Sequence, residues 1–253
     1  MQIAVAGGTG CVGSHVAEAL RDGGDEPVVL SRSTGVDLTT GAGLDEALRG
    51  VSVVIDVSNV STLKREASIR FFEAATRQLL AAGDRAGVAH HVALSIVGID
   101  RVDSGYYAGK RRQEELVLSG QLPASVLRAT QFHEFAGQIL DRGHGPVALV
   151  PRMRTQPVAA REVAHALVAL TRRTPVGLAP ELAGPEALEL TDLAGRLLRA
   201  RGSHRVVVPI RVPGKAGAAM ASGALLPTGP GPRGVQTFDE WLTDAIEARP
   251  EPS

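Results

Sequence analysis

Both tyrosines of this chain and one of its few lysines fall within seven residues. Tyr106 and Tyr107 are the only tyrosines among 253 residues, and Lys110 is one of three lysines beside twenty-four arginines. All three lie in SGYYAGK, residues 104–110. Residues four apart on a helix share a face, so Tyr106 and Lys110 could meet; Tyr107, three before the lysine, could also approach it. A free phenol titrates near ~10, too high for a base at neutral pH, and a nearby ammonium lowers that value by favouring the phenolate. A phenol tuned in this way can protonate a developing alkoxide or take a proton from an alcohol. A hydroxyl at a neighbouring strand end could hold the substrate carbonyl, and Ser95, closing HHVALSI, is the candidate.

A second chemical signal lies at the start of the chain. GGTGCVG places Gly7, Gly10 and Gly13 at the spacing G-x-x-G-x-x-G, between an apolar run and a helical pattern. Glycines permit a tight turn and close approach to a pyrophosphate, and the helix start offers its free N–H groups. The position, at a first strand-to-helix turn, is what gives the triplet weight. Gly7, Thr9, Gly10, Cys11, Val12 and Gly13 are the expected dinucleotide contacts, with the Cys11 side chain read only as small.

The end of the next strand selects the dinucleotide. NAD calls for an acidic residue there to bond the ribose 2′-OH. VVLSRST offers Ser31 and Arg32 instead, with no acid before Asp37. A hydroxyl and a guanidinium fork suit a 2′-phosphate that a carboxylate would repel, so NADP(H) is expected rather than NAD(H). Asp37 and Leu38 are expected beside the adenine.

The elements that must position these groups alternate along the first half. Strands are expected at Ile3–Ala6, Pro27–Leu30, Val51–Val57, His91–Ile96 and Ala124–Arg128. Helices are expected from Val12 to Leu20, around Leu44–Leu48, over 66–83 and over Tyr106–Ser119. That alternation predicts an α/β fold with a doubly wound parallel sheet. Later helices are expected at Glu162–Leu170 and Thr191–Arg201, with a strand at Arg205–Ile210 and a loop over Pro213–Gly234. Thr237 and Glu240 make a capping box before a last amphipathic helix. One domain over 1–253 is expected: a cofactor-binding core at 1–135, substrate-pocket elements at 136–249 and a frayed tail at 250–253.

Composition excludes several classes. Net formal charge is zero with acids and bases interspersed, so no nucleic-acid partner is expected. The weakly polar run 216–226 is too short to span a bilayer. One cysteine and an opening MQIAVAGG without a charged leader pattern agree with the expected cytoplasmic location. A monomer or homodimer is expected. His90-His91 and His133-Glu134 lack ligand spacing, so no metal is expected.

Taken together, the chain resembles an atypical, NmrA-like short-chain dehydrogenase/reductase over nearly its whole length. The resemblance rests on GGTGCVG, the Ser-Arg after the second strand, LSIVGID, YYAGKRRQEELVLSG, VLRATQFHEF, QPVAAREVAHAL and TFDEWL. It implies that Tyr106 is the general acid/base and that Lys110 binds the nicotinamide ribose and lowers the phenol's pKa. Ser95 is implied as the helper, with Ser104 an alternative. The family's usual asparagine has no counterpart; Asn59 falls in an expected cofactor-contacting loop. Thr130, Gln131 and Phe132 are implied near nicotinamide and substrate, and Gln156 and Tyr107 at the substrate. The implied activity is NADPH-dependent carbonyl or alcohol oxidoreduction on a small organic molecule. An epimerase or dehydratase on the same fold, and a non-catalytic NADP(H) sensor, are the alternatives. Retention of both Tyr106 and Lys110 favours an enzyme.

Overall fold

A computed structural model describes residues 1–247. The expected frayed tail lies outside the described residues. In chain order the elements are β1 (Gln2–Ala6), α1 (Cys11–Asp22), β2 (Glu26–Leu30), α2 (Leu44–Ala47), β3 (Val53–Asp56), α3 (Arg65–Ala86), β4 (His90–Ile96), α4 (Gly105–Ser119) and β5 (Ala124–Ala129). They continue with α5 (Phe135–Leu140), β6 (Val147–Pro151), β7 (Arg154–Thr155), α6 (Ala160–Thr171), β8 (Gly177–Leu178), β9 (Leu188–Glu189), α7 (Leu190–Ala200), β10 (Val206–Ile210), α8 (Gly214–Ala221) and α9 (Phe238–Glu247). Internal contacts group these into two compact units.

The first unit comprises Met1–Ile99, Asp103–Arg128 and Ala160–Pro180. Its six strands form a parallel sheet in the order β2-β1-β3-β4-β5-β8. Val5 is in register with Val29 on one side and Ile55 on the other, and Ile55 with Val92. All four residues of β3 are buried, as a strand covered on both faces requires. The helix pairs α1/α6 and α3/α4 pack together and flank the sheet. Ala4, Ala6, Leu30, Val54, Leu79 and Ala82 form part of one core cluster, so aliphatic packing replaces the scarce aromatics. The chain runs from β1 outward to β2 and then returns to the other side of β1 for β3. That reversal makes the carboxyl ends of β1 and β3 the switch point where such sheets bind ligands.

The second unit comprises Asp100–Val102, Ala129–Ala159 and the chain from Glu181 onward. It holds a parallel pair, β6 with β10, an antiparallel pair, β7 with β9, and helices α5, α7, α8 and α9. The loop expected over Pro213–Gly234 is corrected by α8. Pro213 sits at its N-cap, and the alanines of GKAGAAMA supply helix propensity that the surrounding glycines masked. The capping box forms: the Thr237 amide donates to Glu240 Oε2 at 2.8 Å, and the Glu240 amide to Thr237 Oγ1 at 3.3 Å. Among the described residues no helix is long and apolar enough to cross a membrane.

Candidate active site

The glycine turn is built so that side chains cannot enter it. Gly7 has φ +78°, and a Cβ there would lie 2.9 Å from the Val57 oxygen and Ser58 Cα, the backbone that follows β3. A Cβ on Gly13 would collide with the Gly7 carbonyl oxygen. The turn is tied by Gly7 N–H to the Leu30 carbonyl at 3.1 Å and Gly10 N–H to the Gly7 carbonyl at 2.9 Å. Helix α1 starts at Cys11 with Gly10 as N-cap, and no side chain caps it. Thr9, Gly10 and Cys11 are exposed, while Val12 and Gly13 are buried. A turn that leaves no room for a Cβ at Gly7 or Gly13, at the start of a helix, suits a pyrophosphate.

At the end of β2 the chain makes a 3₁₀ turn, Arg32–Thr34. Thr34 Oγ1 donates to the Val29 carbonyl and accepts the Ser31 amide, and Ser31 Oγ lies 2.8 Å from Ser33 Oγ. Arg32 is exposed. Asp37 faces its own loop: its Oδ1 accepts from the Thr39 hydroxyl at 2.7 Å and the Thr39 amide at 2.8 Å. The Thr39 hydroxyl bond, followed by the amide bonds, holds the Asp37 carboxyl below its ordinary range. Leu38 packs against the core cluster of Leu30 and Val36.

Tyr106 sits in the first turn of α4, half-buried, and its hydroxyl donates to Asn59 Oδ1 at 2.7 Å. Its carbonyl accepts the Ser68 hydroxyl of α3 at 2.9 Å, and its ring meets Phe72 and Tyr107 edge to face. Lys110, one turn on, is 4% exposed. Its ammonium donates to the Leu94 carbonyl at 2.6 Å and to Gln113 Oε1 at 2.5 Å, and stands 4.9 Å from the Phe72 ring centre.

Here the electrostatic expectation is corrected. Burial, and then the neighbouring Tyr107, push the Tyr106 phenol above its ordinary value. Burial pushes Tyr107 up to about 12. The ammonium that was expected to lower the phenol is drawn by its own hydrogen bonds toward β4 and Gln113. Burial lowers Lys110 to about 8, against the opposing pull of Asp56 and Glu114.

Ser95, next to last in β4, is 3% exposed, and its hydroxyl has no hydrogen-bond partner among the described residues. Ser104 is the N-cap of α4 and accepts the Ala108 amide on its carbonyl. Gly7, Asn59, Ser95, Tyr106 and Lys110 therefore all belong to the first unit. Thr130, Gln131, Phe132 and Gln156 belong to the second. There the Thr130 hydroxyl donates to the Gln156 carbonyl, Thr155 to Gln131 Oε1, and Gln156 Nε2 to the Gly184 carbonyl. Phe132 makes a lone bridge to Val158. A cavity of about 310 Å³ in the same unit is lined by residues of α5, α7 and α9, including Gln138, Leu197 and Trp241. None of its lining residues was expected at the site.

Two polar residues at the centre of the first unit escaped the sequence reading. Asp56, at the last position of β3, and Gln113, three residues after Lys110, are both within 1% of complete burial. Gln113 Nε2 donates to Asp56 Oδ2 at 2.7 Å. The available signals were a carboxylate ending the apolar run VVID and an amide on the lysine's own helix face. Arg128 of β5 donates to the Glu114 carboxylate of α4 through bonds of 2.9 and 2.6 Å.

Comparison with known proteins gives the family and the fold. A sequence model of the NAD-dependent epimerase/dehydratase family matches residues 3–99, which include the glycine turn and β1 to β4. A reductase from Streptomyces griseus subsp. griseus, named for (4-alkanoyl-5-oxo-2,5-dihydrofuran-3-yl)methyl phosphate, is 32% identical over 220 residues, covering 79% of this chain and 74% of its own. The chain belongs to the atypical short-chain dehydrogenase/reductases. Members of this family are oxidoreductase- and epimerase-type enzymes that bind nicotinamide dinucleotides. Solved structures share the fold. The UDP-N-acetylglucosamine 4-epimerase from Bacillus cereus aligns with TM-score 0.71 at 17% identity, over 100% of this chain and 99% of its own. An NADPH-dependent quinone oxidoreductase from Escherichia coli, complexed with NADPH, aligns with TM-score 0.71 at 18% identity, over 96% and 99%.

Proposed function

We propose that this protein is an NADPH-dependent reductase of a small carbonyl compound, with Tyr106 as the proton donor. The observation that carries the reading is the Tyr106 phenol, raised by burial and held by Asn59 in the unit that also contains the glycine turn. A phenol kept protonated at neutral pH is suited to give a proton to an oxyanion rather than to take one from an alcohol. The dinucleotide, when bound, supplies the hydride. Lys110 holds the nicotinamide ribose, and Ser95 offers its unpartnered hydroxyl to the substrate oxygen. Ser31 and Arg32 receive the 2′-phosphate, a role supported by the exposed guanidinium and by an Asp37 carboxylate turned to its own loop. The S. griseus relative is named for an alkanoyl-substituted oxo-dihydrofuran, and an oxygenated carbonyl compound of that chemistry is the inferred substrate class. The same reading makes the protein cytoplasmic.

The test is NADPH consumption across a panel of such carbonyl compounds. Wild-type protein oxidises NADPH with at least one of them, and Tyr106→Phe loses that turnover while still binding NADPH. Turnover that survives the substitution removes Tyr106 from the role.

An epimerase or dehydratase reaction is the second reading, favoured by the family matched over residues 3–99. Such a reaction leaves no net oxidation of the dinucleotide, so product formation without NADPH consumption selects it. Tight NADPH binding without turnover of any compound selects a sensor.

A further inference from the structure

Behind the tyrosine lies a buried chain of polar contacts that proton transfer by Tyr106 does not itself use. Lys110 Nζ donates to Gln113 Oε1, Gln113 Nε2 donates to Asp56 Oδ2 at 2.7 Å, and Asp56 Oδ1 accepts the Ser58 amide at 2.9 Å. Asp56 is 0% exposed, Gln113 1% and Lys110 4%. Charges that deep need a partner of opposite sign and satisfied hydrogen bonds. Here a neutral amide stands between them, and only one of its two orientations presents oxygen to the ammonium and NH₂ to the carboxylate. The two charges therefore fix the amide, and the amide fixes the lysine.

We infer that Gln113 and Asp56 are positioning residues that keep Lys110 charged and aimed at the ribose of the dinucleotide. The inference rests on the proposed role of Lys110 as a ribose-binding residue. An ammonium has three donors. The Leu94 carbonyl and Gln113 take two, which leaves one direction for a ligand hydroxyl. A direct Lys110–Asp56 pair would satisfy the charge but tie the ammonium to the carboxylate. The amide passes on the carboxylate's orienting effect while leaving the full positive charge for the ligand.

The other groups facing the ammonium do not replace this link. Glu114, on the same helix, is already bonded twice by Arg128. The Phe72 ring of α3 offers only its π face. His91, on β4 and near Asp56, is held below its ordinary pKa by burial, so it stays neutral and adds no charge. Burial draws Lys110 down to about 8 against the pull of Asp56, so loss of the Asp56 field would lower it further.

Because the chain has three lysines, the isotope-labelled lysine Cε resonances of Lys64, Lys110 and Lys215 can be followed individually through a pH titration. The Lys110 resonance is expected to titrate near 8 in the wild type. Gln113→Leu and Asp56→Asn each move its midpoint down by roughly one unit. Each also weakens NADPH binding about tenfold near neutral pH, and the double variant is no weaker than the worse single one. Wild-type midpoint and NADPH affinity in both single variants, with affinity lost in Lys110→Met, would overturn the positioning role alone. Wild-type affinity in Lys110→Met would instead overturn the ribose-binding reading, and the inference with it. If Asp56→Asn does not fold, Gln113→Leu carries both readouts by itself.

Discussion

The Tyr106 hydroxyl donates a 2.7 Å hydrogen bond to Asn59 Oδ1, joining the first turn of α4 to the segment that follows β3. This bond fixes where the phenol oxygen sits, so Asn59 serves as an orienting partner for the proposed acid. Asn59→Ala is expected to lower kcat by about tenfold, an effect of misplaced geometry rather than lost chemistry. Stability should fall by only about 1 kcal/mol, the usual net worth of one hydrogen bond. Steady-state kinetics and thermal unfolding check the two; unchanged kcat would remove Asn59 from the site.

Cofactor choice is read at Arg32. Arg32→Ala is expected to weaken NADPH binding by about tenfold or more, since a charge-assisted bond to a phosphate is lost, with NADH binding unchanged. Fluorescence titration with both dinucleotides measures this. Equal wild-type affinity for NADPH and NADH contradicts the assignment.

Lys110 makes stability depend on pH with a definite sign. Its pKa is about 8 in the folded protein against an ordinary 10.5. Between those values the unfolded chain retains a proton that the folded chain has released, so the Lys110 contribution to stability rises with pH there. Below about 8 both states are protonated and the contribution is flat. The difference in unfolding free energy between wild type and Lys110→Met, measured in urea at several pH values, should therefore rise through the mildly alkaline range. A flat or falling difference contradicts the lowered pKa.

Arg128 of β5 and Glu114 of α4 form a largely buried ion pair, with side chains 13% and 8% exposed. Arg128→Met leaves the Glu114 carboxylate buried without its partner and is expected to cost about 3–5 kcal/mol. Denaturant unfolding measures the loss. A change below about 1 kcal/mol would show that the carboxylate finds water or another donor.

What the sequence disclosed was local. The glycine turn, the Thr237–Glu240 capping box and the helical spacing of Tyr106 and Lys110 are set by residues within one or two turns of each other. Alternating apolar runs likewise announced the parallel sheet. The Asp56–Gln113 bond joins residues 57 positions apart, and no periodicity records such a meeting. The direction of the Lys110 ammonium was hidden for the same reason, because the Leu94 carbonyl that attracts it lies on β4. Helix α8 was obscured by composition, its alanines embedded among glycines and prolines that read as loop. Strand β6 has its pairing partner β10 far along the chain, so PVALVP gave no sign of a sheet.

The central claim is that Tyr106 delivers the proton while the dinucleotide delivers the hydride. Single-turnover oxidation of bound NADPH by a reducible carbonyl compound, compared in wild type and Tyr106→Phe, tests it most directly. The account predicts a rate at least ~100-fold lower in the variant, within the usual range for loss of a general acid, with NADPH affinity within a few-fold of wild type. Equal single-turnover rates in the two proteins would contradict it.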